Sequence, residues 1–180
     1  MRVHSGVWML PFILAYCVNP IYSGFEFTNI KCTSNDKKFF EFEYCYIKAV
    51  NRSYKYMSLK AIMHEKPYTD ASANLQVLRR FKGYIPITMN VTFNVCKYME
   101  KKNNQNPMVK FFDMVIKSYS NVYHKCPYDH DILVEKVPTQ FVNSHFTDVI
   151  PLPRGDYAFY STWFTSGIMR GTLWVYGTLS

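Results

Sequence analysis

The stretch Tyr84-Ile85-Pro86-Ile87-Thr88-Met89-Asn90-Val91-Thr92-Phe93-Asn94-Val95-Cys96 decides the fold. Ile85, Ile87, Met89, Val91, Phe93 and Val95 alternate with Tyr84, Thr88, Asn90, Thr92 and Asn94. Successive side chains of a strand point to opposite faces, so this period of two marks a strand with one face in a core and the other in solvent. The phase turns Asn90-Val91-Thr92, an acceptor tripeptide for N-glycosylation, outward.

Downstream the period changes. Met108, Phe111, Phe112, Val115, Ile116 and Tyr119 recur at helical spacing, while Lys110, Asp113 and Lys117 take the opposite side. Asn106 suits an N-cap and Pro107 the first helical position, so an amphipathic helix is expected over residues 107–119. Elsewhere strand patterns recur at Phe25 to Ile30, Phe39 to Lys48, Tyr54 to Met63, Ala73 to Arg79, Ile132 to Val137, Asp156 to Thr165 and Ile168 to Leu179. Phe40, Phe42, Tyr44 and Tyr46 are expected on one side of the second of these. Short strands at regular spacing read as an all-β, immunoglobulin-like two-sheet sandwich with one helix.

The N-terminus suggests the compartment. Arg2 precedes an apolar run from Val7 to Val18. That run is shorter than the roughly 20 residues needed to span a bilayer and fits a secretory signal peptide at 1–23. A single domain over 24–180 would follow, with a secreted, extracellular destination. It would retain Cys32, Cys45, Cys96 and Cys126. An even count in a secreted chain points to two disulfides, with three connectivities open. Asn51-Arg52-Ser53, between two strand patterns, is the second candidate glycosylation site beside Asn90.

The formal net charge is +8. Its basic residues are scattered, with small groups at Arg79, Arg80 and Lys82 and at Lys97, Lys101 and Lys102, which read as a solubilising surface. Nucleic acid is not an expected partner. Catalysis finds no support either. His64-Glu65 lacks the second histidine of a zinc-protease helix, and no nucleophile elbow or phosphate loop is present. Asp129-His130-Asp131 reads more often as a polar turn than as a metal site. No enzyme activity, cofactor or metal is expected.

Aromatics are the compositional outlier, with Tyr 15, Phe 14 and Trp 3. The inward row Ile85, Ile87, Met89, Val91 and Phe93, with Phe111, Phe112 and Val115 of the helix and Phe159 and Trp163 near the C-terminus, are the candidate lining of a pocket. Periodicity alone favours a close-packed core. Splayed sheets would instead leave a cavity of about 300–1,000 Å³.

Several ordered motifs carry a family likeness. They are Phe27-Thr28-Asn29-Ile30-Lys31-Cys32, Phe40 with Phe42 and Cys45, Asn90-Val91-Thr92 with Cys96-Lys97, Cys126-Pro127-Tyr128, and Leu152-Pro153-Arg154-Gly155-Asp156-Tyr157. On these residues the chain resembles a large insect family of secreted proteins of unknown function that includes the chemosensory B-type proteins. More distantly, Cys96 through the terminal hairpin is similar to the ganglioside-activator protein and to ML-type lipid-recognition domains. The resemblance implies a sandwich that holds a hydrophobic molecule between its sheets, and for chemosensory members a role in detecting cuticular hydrocarbon or pheromone-like lipids. It favours a Cys96–Cys126 bond, with Cys32 paired to Cys45. ML-type domains commonly join an early cysteine to the last strands, and Ile168 to Leu179 contains none.

The expectation is therefore a secreted, non-catalytic protein that binds a lipid or other hydrophobic small molecule, with a membrane receptor as a further partner. The rival is a secreted module with a filled core that presents its surface to a receptor or another extracellular protein.

Overall fold

A computed structural model describes residues 24–180 other than 53, 150 and 151. The signal-peptide expectation for 1–23 lies outside the described residues. Eight strands form among them: β1 (Phe25–Ser34), β2 (Phe40–Ala49), β3 (Lys55–Met63), β4 (Ser72–Arg80), β5 (Tyr84–Asn94), β6 (Ile132–Pro138), β7 (Gly155–Thr165) and β8 (Ile168–Leu179). They pair into two antiparallel sheets, ordered β1-β8-β7-β4-β5 and β2-β3-β6. Phe27 of β1, Leu75 and Val77 of β4, Val175 of β8, Met57 of β3 and Val137 of β6 meet in one core, so the sheets face each other.

Three helices join the strands: α1 (Val95–Lys101), α2 (Pro107–Tyr119) and α3 (Thr139–Val149). Helix α2 has the expected bounds. Asn106 caps it by accepting from the Met108 amide at 2.9 Å, and Pro107 opens it. The other two helices depart from the one-helix expectation. Asn94, the last residue of β5, also caps α1 through the Lys97 amide, and Val95, expected to continue the strand, opens the helix. A side-chain acceptor three residues ahead of an unpaired amide ends the strand there.

Two cystines close the flanks of the sandwich. Cys32 on β1 bonds Cys45 on β2, joining an edge strand of one sheet to an edge strand of the other. Cys96 in α1, directly after the opposite edge strand β5, bonds Cys126 in the segment leading to β6. Tyr68 and Tyr128 add a two-way backbone bridge on that flank, at 3.0 Å in each direction.

Two edge strands correct the sequence phases. In β2 the register shifts between Phe42 and Tyr44. One extra residue moves the following side chains to the other face. Ile47 packs on the core as a result, and Tyr46, 40% exposed, does not share the side of the buried Phe40 as expected. In β5 the register shifts twice against β4, between Gln76 and Val77 and between Val77 and Leu78. Pro86, which has no amide to donate, sits within this irregular end, where an edge strand tolerates it. Ile85 is 51% exposed there, contrary to its expected inward position.

Candidate ligand cavity

Between the sheets lies a cavity of about 230 Å³ whose walls are almost entirely apolar. The small sheet supplies Phe40, Phe42, Met57, Leu59, Ala61 and Met63, and the large sheet Phe27, Leu75, Phe159, Trp163 and Leu173. Helix α2 forms a further wall with Met108, Phe111, Phe112, Val115 and Ile116. The apolar stripe that makes α2 amphipathic is therefore turned into the cavity as well as onto the core.

Aromatic contacts hold that wall in place. Phe112 meets Phe93 of β5 at 5.7 Å between ring centroids and Trp163 of β7 at 5.7 Å. The Trp163 indole donates to Ser161 Oγ at 3.0 Å, so its polar edge is satisfied and its ring is free to pack.

The candidate residues fall into two groups. Phe111, Phe112, Val115, Phe159 and Trp163 line the cavity. The β5 row does not. Phe93 is buried but stands behind Phe112, while Ile87 and Val91 pack against the outer part of the core. Ile85 faces solvent, and the side chain of Met89 lies outside the described residues. The reason is strand order: β5 is an edge strand, and its inward face is covered by α2. The β3 residues Met57, Leu59, Ala61 and Met63 also line the cavity and were not among the candidates.

Polar groups at the walls are few, and most are paired; the buried Nε of Arg170 has no hydrogen-bond partner. Arg170 pairs with Asp36 and lies over the Phe39 ring, 4.1 Å from its centroid. Desolvation opposes the Asp36 carboxylate, but Arg170 and the Phe39 and Lys38 amides hold its pKa below the usual value. The Tyr128 hydroxyl donates to the carbonyls of Val122 and His124, at 3.1 and 3.2 Å, and burial pushes its phenol up to about 12. Tyr68 is pushed up as well, by burial first and by Tyr128 beside it.

No described histidine lines the cavity. Ser144 and His145 touch at 2.8 Å on α3, but both are committed to the Phe141 carbonyl, the serine as donor at 3.1 Å. With Nδ1 facing a carbonyl, His145 has no lone pair there to take a serine proton. Among the described residues, no group of three or more His, Cys, Asp or Glu side chains is placed to hold a metal ion.

Both candidate glycosylation asparagines are exposed. Asn90 stands on β5 and accepts from Asn74 Nδ2, which also donates to Thr92 at 2.7 Å. Asn51 lies in the β2–β3 turn and accepts from the Tyr54 amide at 2.8 Å; Ser53 lies outside the described residues.

Residues 73–159 match the family model described as "Protein of unknown function (DUF1091)". The matched segment runs from β4 into β7, and holds α2, the Cys96–Cys126 bond and much of the cavity wall. No curated protein matches the chain significantly. Among the described residues no helix is long and apolar enough to cross a membrane. The two cystines fit an extracellular protein.

Proposed function

We propose that this is a secreted, glycosylated, non-catalytic carrier that takes a lipid or similar hydrophobic small molecule between its sheets. The observation that carries the reading is the apolar cavity of about 230 Å³. An apolar cavity of about 150 Å³ already stays dry and admits benzene. Drug-sized sites begin near 300 Å³. The occupant is thus a slim or compact apolar group: one hydrocarbon chain segment or a small ring system. Burying six CH₂ groups is favourable by about 5 kcal/mol, before the cost of ordering the ligand.

The likeness to insect chemosensory and ML-type proteins supports the same reading and points to cuticular hydrocarbon or pheromone-like lipids. In such a role the loaded protein would present its guest to a membrane receptor.

Organic extraction of the purified protein, followed by mass spectrometry, tests the proposal. A reproducible co-purified lipid or hydrocarbon is the expected result. A clean protein that also takes up no fluorescent fatty-acid probe would support the surface-presenting module instead.

A further inference from the structure

His124 and His130 stand on either side of the Cys126-Pro127-Tyr128 segment, with their Nε2 atoms 2.8 Å apart. The other nitrogen of each ring faces a backbone carbonyl. His124 Nδ1 is 2.7 Å from the Lys125 oxygen, and His130 Nδ1 is 2.9 Å from the Asp131 oxygen. A carbonyl only accepts, so at these distances each Nδ1 carries the hydrogen. Each Nε2 is then a bare lone pair, and two lone pairs face each other.

The neutral alternative moves one proton. His130 Nδ1 would accept from Asn121 Nδ2 at 3.1 Å, and its Nε2–H would donate to His124. That sets the bare Nδ1 against the Asp131 oxygen, two acceptors 2.9 Å apart. Asn121 cannot turn to relieve this. Its Oδ1 accepts from the Leu133 amide at 2.9 Å and its Nδ2 donates to the Asp131 oxygen at 2.7 Å. The two remaining arrangements, with the His124 proton on Nε2, set its bare Nδ1 against the Lys125 oxygen at 2.7 Å, so in all four neutral arrangements an acceptor faces an acceptor. A cation between the two Nε2 atoms removes the conflict.

We propose that His124 and His130 bind a divalent transition metal ion through their Nε2 atoms. Imidazole ligands suit zinc, copper and nickel. An Nδ1–H held by a backbone carbonyl is the outer-shell contact that orients metal-binding histidines. Two nitrogens bound to one tetrahedral ion at about 2.0–2.1 Å stand roughly 3.3 Å apart. The ring centroids are 5.1 Å apart, which sets the two Nε2 atoms nearly head-on, so the rings must part by about half an ångström and tilt to converge on the ion. His124 is exposed, leaving room for water to complete the coordination. Asp131 is engaged by Lys66 and the Met63 amide, which hold its carboxyl below the usual value, and Cys126 is spent in its disulfide. The site thus has two protein ligands. The ion would clamp the segment whose Tyr128 walls the cavity and meets the His124 ring at 4.9 Å.

The test uses the protein purified without a polyhistidine tag. Copper(II) titrated into it should bind one ion per chain, with two nitrogen couplings in the electron paramagnetic resonance spectrum. Zinc should compete for the same site and raise the melting temperature. His124→Gln, which keeps bulk and polarity, and His130→Ala should each abolish the two-nitrogen signal, whereas His64→Ala and His145→Ala should retain it. The proposal is overturned by the absence of stoichiometric binding, which would leave the pair to hold only a proton. It is equally overturned if His124→Gln and His130→Ala, both folded by circular dichroism, bind copper as the parent does.

Discussion

Phe111 of α2 stacks on Phe159 of β7, with ring centroids 5.9 Å apart and planes 26° from parallel. The pair joins the helical wall of the cavity to the large sheet, and both rings line the interior. Helix, sheet and cavity are thus one construction: the aromatics that keep α2 in place are those a guest would touch.

Phe111→Ala should therefore enlarge the cavity more than it weakens the fold. Truncating a fully packed Phe costs about 3–5 kcal/mol, but a ring with empty space on one side has fewer contacts to lose. A loss below about 3 kcal/mol in urea unfolding is expected, with binding shifted toward bulkier apolar probes. A full-sized loss and no change in probe preference would place Phe111 in solid core.

Removing the Cys96–Cys126 bond by a double alanine substitution should destabilise the protein by about 3–4 kcal/mol, since the linked residues are 30 apart in sequence. The Cys32–Cys45 pair, 13 apart, should cost about 3 kcal/mol. Urea midpoints under non-reducing conditions measure both. An unchanged midpoint for either variant would show that its bond does not clamp the flank.

Gly177 of β8 lies beneath the Phe25 ring, and a Cβ there would run into that ring and stand 2.8 Å from the Glu26 carbonyl oxygen. The ring is almost fully buried and the carbonyl belongs to the paired strand, so neither can move far. Gly177→Ala should cost about 1–3 kcal/mol by overpacking. A neutral effect on thermal unfolding would mean that β1 is more loosely seated than described.

Tyrosine ionisation offers a test at high pH. Burial raises Tyr128 from its ordinary 10.0 to about 12, and raises Tyr68 and Tyr98 as well, the latter also through its hydrogen bond to Asp113. Between pH 10 and 12 the folded chain holds these protons and the unfolded chain releases them. Their stabilising contribution is thus complete below pH 10 and lost as pH rises toward 12. Difference absorbance should show one set of tyrosines titrating near pH 10 and a second ionising only as the protein unfolds. A single transition near pH 10 with the fold intact would contradict the burial of Tyr68 and Tyr128.

Much of the fold was legible in the sequence, because alternation and helical spacing report directly which side chains face a core. All eight strand patterns correspond to strands, and α2 begins at Pro107 and ends at Tyr119 as its cap and spacing indicate. What failed is what alternation cannot encode. The bulges in β2 and β5 are set by pairing with β3 and β4, so Tyr46 changed face without a local signal, whereas at Ile85 the adjacent Pro86 was the one readable sign of an irregular edge. Helix α1 is seven residues long, too short for a periodic pattern, though Asn94 ahead of Lys97 was a readable cap. The cavity lining depended on strand order. Once β5 lies at an edge, α2 stands between it and the interior, and the wall falls instead to β3, β7 and β8.

A carrier of this kind needs a hollow interior that admits an apolar guest. Ala61, buried on β3, borders that space and is small enough to serve as its plug. The most direct measurement is equilibrium binding of a fluorescent fatty-acyl probe to delipidated parent protein and to Ala61→Phe. Saturable, one-to-one uptake by the parent is expected, with loss of uptake in the variant, whose added ring occupies the cavity and leaves the melting temperature unchanged or higher. No saturable uptake by the parent, or a variant that binds equally well while losing the about 1–3 kcal/mol typical of an overpacked core, would contradict it.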